Sequence, residues 1–172
     1  ERWSMRLVLI LAALLIVTNL AGAEDGQVTK MARDAKFQSC LSTVAELDKF
    51  FGEGISYGNW SVWSKESVDK QVFNTSMELS FSDGTHLIDF TVAPTADGNC
   101  SYTYTRTWYS PKSCLATSKE AFLKDAEYKT ELNKVVALFT KGPSKILLLP
   151  ADTGCVVQKK EVGFAVDKQA SK

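Results

Sequence analysis

Between residues 28 and 51 the apolar positions Phe37, Cys40, Leu41, Val44, Leu47 and Phe51 recur at steps of three and four. That spacing predicts one amphipathic helix over 28–51, with Gly52 as its C-cap and Cys40 on its buried face. Aromatic and branched residues over 55–63 predict a first strand, in which Gly58 is a candidate bulge. Over 72–93 apolar and polar residues alternate: Phe73, Thr75, Met77, Leu79 and Phe81 fall on one face, Asn74, Ser76, Glu78 and Ser80 on the other. A period of two marks a half-buried strand, and Asp83-Gly84 supplies a two-residue hairpin turn. With that turn the register sets Leu79 opposite Ile88, Met77 opposite Phe90 and Thr75 opposite Val92, all on the apolar face.

Residues 100–108 alternate again, with Cys100, Tyr102, Tyr104 and Trp108 on one face and Ser101, Thr103, Thr105 and Thr107 on the other. Thr117-Ser118-Lys119-Glu120 then matches a capping box and Gly142-Pro143 a stop, which predicts a second helix over 117–142. Its packing face would be Phe122, Ala126, Leu132, Val135, Val136 and Phe139. The pairs Glu120 with Lys124 and Asp125 with Lys129 would lie outside, and Tyr128-Lys129-Thr130 is a candidate break. Residues 145–149 and 155–158, the second arm extendable through Phe164, predict a closing hairpin. Its unbroken apolar first arm reads as a central strand covered on both faces. The predicted class is α+β: an antiparallel sheet of five to seven strands in the order α-β-β-β-β-α-β-β, with two main helices packed on one face. No internal repeat is visible.

The beginning of the chain adds an address. Arg6 precedes an apolar block of 11 residues over 7–17, and Ala21-Gly22-Ala23 supplies the small residues of a cleavage site, the pattern of a signal peptide over 1–23. A retained membrane anchor needs about 20 apolar residues, and Thr18-Asn19 interrupts the run sooner. No Cys follows Ala23, which argues against a lipid anchor. Residues 1–4 stand upstream of Met5, the natural-looking start. The expected organisation is a leader over 1–23, one periplasmic or secreted domain over 24–166 and a flexible polar tail over 167–172.

Removing the leader leaves 149 residues (172 − 23), enough for one domain with a real core. The 20 basic and 20 acidic residues lose Arg2, Arg6 and Glu1, leaving 18 against 19 with no block of like charge. Nothing in that balance calls for a nucleic-acid or polybasic membrane partner. All four cysteines, Cys40, Cys100, Cys114 and Cys155, lie in the exported part and predict two disulfides. If 100–108 is one extended strand, Cys114 starts about 26 Å from Cys100, which disfavours a bridge between those two. Of the three connectivities, Cys40 with Cys100 and Cys114 with Cys155 is favoured. There is no C-x-x-C pair and only one histidine, so neither a metal nor a cofactor is expected.

Candidate chemistry is sparse. Gly54-Ile55-Ser56-Tyr57-Gly58 matches the serine-hydrolase elbow, and Ser56, Asp69 or Asp83, and His86 follow in the hydrolase chain order. The elbow needs a strand before the serine and a helix after it, whereas here a helix precedes and a strand follows. His86, the single imidazole, falls opposite Phe81 at the rim of the predicted apolar face. Glu78 and Asp89 would face each other on the polar side of the hairpin, as an acid/base pair or as screened surface charges. The aromatic residues Tyr102, Tyr104 and Trp108, with Trp60 and Trp63 on the first strand, would serve either as core or as a stacking surface for a ligand. Trp63 is the candidate for exposure. Asn59, Asn74 and Asn99 match the N-x-S/T acceptor pattern, which matters only in a chain exported by a eukaryotic cell. The preferred reading is a non-catalytic exported module that binds a small ligand or a protein partner. The alternatives are a small secreted hydrolase using Ser56 with His86 or the Glu78/Asp89 pair, and an inhibitory or structural protein that pairs through an edge strand.

Overall fold

A computed structural model describes residues 25–165. The leader over 1–23 and the tail over 167–172 lie outside the described residues. Two helices, α1 (Gln27–Asp34) and α2 (Leu41–Gly52), are followed by four strands: β1 (Tyr57–Trp63), β2 (Phe73–Phe81), β3 (Gly84–Pro94) and β4 (Cys100–Ser110). A short helix α3 (Cys114–Thr117) and a single 3₁₀ turn (Ala121–Leu123) lead to four more: β5 (Glu127–Leu132), β6 (Val136–Lys141), β7 (Ser144–Ala151) and β8 (Gly154–Ala165). All eight form one antiparallel sheet in the order β1-β2-β3-β4-β8-β7-β6-β5. Among the described residues no helix is long and apolar enough to cross a membrane.

The α+β class and the antiparallel sheet agree with the sequence pattern, but several details differ. The single helix expected over 28–51 is two helices. Lys36 takes a left-handed conformation (φ 67°), and the Phe37 N–H bonds back to the Ala32 carbonyl, which closes α1 in a tight C-terminal turn. Gly58 is no bulge, since β1 pairs with β2 without a register shift. The hairpin turns on Ser82-Asp83, with Phe81 opposite Gly84, so Leu79 faces His86, Met77 faces Ile88 and Thr75 faces Phe90. The slip from the expected register is two residues, and for that reason the apolar face survives intact. Gly84, at φ 137°, takes a conformation that side chains disfavour.

The largest correction concerns 117–142. The expected helix is instead α3, the 3₁₀ turn, β5 and β6, which raises the strand count from five to seven up to eight. Thr117 ends a helix rather than starting one, and its cap is Ser113, whose hydroxyl accepts the Ala116 N–H. Asn133 and Lys134 both have positive φ (47° and 75°) and turn β5 into β6, while Gly142-Pro143 turns β6 into β7. β7 is covered on one face only, with Ile146 and Leu148 buried and Leu149 exposed.

Both disulfides the sequence favours are present, Cys40–Cys100 and Cys114–Cys155. Their placement reveals an architecture repeated twice. Each half is a helical cover, α1 and α2 in the first and α3 with the 3₁₀ turn in the second, followed by a four-stranded meander, and in each a disulfide ties the start of α2 or α3 to the start of the fourth strand. Cys100 and Cys155 stand 55 residues apart (155 − 100), and the same step carries Ser110 to Ala165. In the β4–β8 ladder Cys100 pairs with Ala165 and Ser110 with Cys155, the pairing that a local two-fold axis between Thr105 and Lys160 demands. Apart from the cysteines, the side chains at matching positions of β4 and β8 differ, so the repeat is invisible in sequence.

One face of the sheet carries both cores. Under α1 and α2, Phe37, Phe73, Met77, Phe90 and Val92 are sealed with Val28 and Val44. Under the 114–123 segment, Leu123 packs with Ile146, Leu148 and Val157. Each fully buried large side chain contributes about 1.5–3 kcal/mol.

Candidate ligand-binding groove

Cys40–Cys100 ties the start of α2 to β4 and Cys114–Cys155 ties α3 to β8, so the two covers flank the seam where the halves meet. There the inward-facing positions turn polar: Tyr104 lies opposite Glu161 and Arg106 opposite Lys159 in the β4–β8 ladder. The Lys159 ammonium donates to Glu161 at 2.8 Å and lies 5.7 Å from the centre of the Tyr104 ring; Glu161 also accepts from Ser144. Burial alone would raise the Glu161 pKa, yet the bonds from Lys159, Ser144 and Tyr104 outweigh it and hold the carboxyl below its ordinary value. For Lys159 burial acts to lower the pKa, and Glu161 and Tyr104 reverse the balance. That pair stays charged.

Arg106 is placed differently. Its guanidinium lies 5.0 Å from the centre of the Phe81 ring and 5.6 Å from that of Trp108, and its Nε–H donates to His86 Nδ1 at 2.9 Å. His86 is 2 % exposed and stacks on Trp108 with ring centres 5.3 Å apart. Its Nε2 has no hydrogen-bond partner, although Oδ1 of the exposed Asp83 lies 3.5 Å away. Burial first and the Arg106 charge second push the imidazole pKa below 6.5, against a smaller opposing pull from Asp83. Burial likewise draws the Arg106 pKa down.

These groups line a cavity of about 570 Å³, walled by Trp108, Phe122 and Ile146 and bordered by Lys141 and Lys159. A second hollow of about 340 Å³ lies on the α2 side of Tyr104 and Glu161, against Leu47 and Phe50. A few convergent polar groups on apolar walls, at a boundary between structural units, is the usual make-up of a small-molecule site. Among the described residues no cluster of three or more histidine, cysteine or acidic side chains could hold a metal.

The structure separates most of the residues the sequence singled out. Ser56 is exposed just ahead of β1; Tyr57 pairs with Leu79, which pairs with His86, so the two backbones stand roughly 10 Å apart across two strand spacings. His86 instead faces Leu79 across the ladder, with its nitrogens towards Arg106 and Asp83. Asp69 accepts the Gln38 and Ser39 N–H groups, 2.6 Å each, and pins the loop between α1 and α2. Glu78 and Asp89 do not oppose each other: Glu78 pairs with Leu87, and Asp89 accepts from the Ser76 hydroxyl. The aromatic set divides as well. Trp60 is 74 % exposed on the open face, whereas Trp63, the residue expected outside, stacks on Phe73 in the N-terminal core. Tyr102 and Tyr104 line the smaller hollow and Trp108 the larger.

Sequence reasoning missed Arg106, Lys159, Glu161 and Lys141. The signal was there for one of them: Arg106 falls on the Tyr102/Tyr104/Trp108 face of its alternating strand, where a charge needs a reason.

Fold and site together define an α+β domain built of two helix-and-meander halves with a polar groove along their seam. Comparison with protein-family models, with curated proteins and with solved structures finds no match to this chain.

Proposed function

We propose that the protein is an exported, non-catalytic module that binds a small molecule in the seam groove. The observation that carries this reading is the cavity of about 570 Å³, within the range of small-molecule sites, with His86 and Arg106 half or fully buried at its base. Export is supported by the leader pattern in 1–23 and by four cysteines that are all paired. A binding role is favoured over hydrolysis because Ser56 and His86 are not within reach of each other and Glu78, a diagonal neighbour of Asp89, lies exposed on the uncovered face.

The test is an NMR titration of the isotope-labelled, disulfide-intact protein with small compounds grouped by charge. Shifts confined to the Trp108 indole N–H and the Ile146 amide are the expected result. If no compound at millimolar concentration moves them while the spectrum remains that of a folded protein, the reading fails.

A further inference from the structure

The charges around the larger cavity do not balance. Arg106, Lys141 and Lys159 border it against Asp83 alone. Lys159 is neutralised by Glu161, but Lys141 donates to the Phe122 carbonyl at 3.1 Å and has no carboxylate partner among the described residues. Asp83 acts on Arg106 only from a distance: no carboxylate lies within 4 Å of its guanidinium among the described residues, and only its Nε is hydrogen-bonded. Its nearest polar neighbour, His86, is an imidazole that accepts the Nε–H through its lone pair and so carries its own proton on Nε2, which is buried without a partner. A half-buried guanidinium held between two rings, with its terminal amino groups unspent, is a preorganised fork for a planar or tetrahedral oxyanion.

Resting on the groove reading above, we propose that the ligand is a small organic oxyanion carried on a flat ring, its anionic head on Arg106 and its ring against Trp108 and Phe122. The head supplies the charge that Arg106 and Lys141 lack. The ring meets a wall that is already aromatic, since Trp108 and Phe122 pack edge to face with ring centres 5.3 Å apart.

Isothermal titration calorimetry with benzoate, phenyl phosphate and neutral benzamide tests this, read beside the Trp108 and Ile146 signals. The expected result is that one or both anions bind at least about tenfold tighter than benzamide, a gap near 1.4 kcal/mol, and lose that margin in Arg106→Gln. Should Arg106→Gln fail to fold, Arg106→Lys and the exposed Lys141→Gln take its place, with losses of about tenfold and a few-fold expected. Benzamide binding as tightly as the anions overturns the oxyanion assignment and leaves the groove reading standing. Unchanged anion affinity in the Arg106 and Lys141 variants overturns it too. No shift with any of the three compounds overturns the ring-borne oxyanion, while the groove reading stands or falls on the wider titration with compounds grouped by charge.

Discussion

Arg106 donates its Nε–H to Nδ1 of His86 at 2.9 Å, and that one bond decides which imidazole nitrogen holds the proton. Arginine has no lone pair to offer, so Nδ1 must accept and Nε2 must carry the hydrogen. Protonating Nδ1 would break the bond and place a second charge beside the guanidinium.

His86 therefore stays neutral in the folded protein at pH values where a free imidazole is charged. Its folded-state pKa lies below 6.5, from burial first and Arg106 second, so the unfolded chain binds the proton more readily. Stability is complete above about pH 6.5 and falls as pH drops from there through the folded-state value. Imidazole NMR should report the Nε2–H tautomer, and denaturant melts of wild type against His86→Gln should show the variant lacking that part of the slope.

Asp48 holds the helical layer together from inside. Though 2 % exposed, it accepts from the Thr29 N–H (2.8 Å) and hydroxyl (2.7 Å) and from the Tyr57 hydroxyl, capping the N-terminus of α1 from a neighbouring helix. Asp48→Ala should cost about 3 kcal/mol, combining a lost cap with orphaned buried donors. Chemical denaturation measures it.

Tyr57 is pushed up to about 12, by burial first and Asp48 second. A raised folded-state pKa means that the folded phenol keeps its proton when the unfolded one has lost it. Stability is therefore unaffected below about pH 10 and falls as pH rises from there towards about 12. Tyr57→Phe should remove this alkaline loss, as followed by circular dichroism across that range.

The two disulfides close loops with sequence separations of 60 and 41 residues. In the chain-entropy picture each is worth about 4 kcal/mol, so paired Cys→Ala variants should each lose a comparable amount. Thiol titration should count none in native material and four after reduction.

Ser56→Ala should leave stability within about 0.5 kcal/mol and leave any background ester turnover unchanged, because the hydroxyl is exposed and far from the imidazole. A loss of turnover in this variant would restore the hydrolase alternative.

Much of the first half of the fold was legible from the residues. The alternation in 72–93 and 100–108 marks which side chains are buried, and the turn error of two residues left the faces unchanged because strand periodicity is also two. In the second half, residues 117–142 carry signals that serve two structures equally. Gly142-Pro143 stops a helix, but it turns a hairpin as well. The packing face proposed for that helix had a gap of six between Ala126 and Leu132, which no helical stripe tolerates, and Val136-Ala137-Leu138-Phe139 is a run that suits a strand. The groove was harder to see. It depends on β4 lying beside β8, a pairing between residues about 55 apart that no local pattern encodes, and only Arg106 at an inward position hinted at it.

The seam has a mechanical consequence. The halves share a single strand-to-strand ladder, so twisting one against the other strains β4 and β8 and widens or narrows the space above them like the spine of a book. A guest lodged there would act as a splint across that spine. Amide protons of Thr105 and Lys160 should then exchange more slowly when it is occupied, though neither residue would touch it.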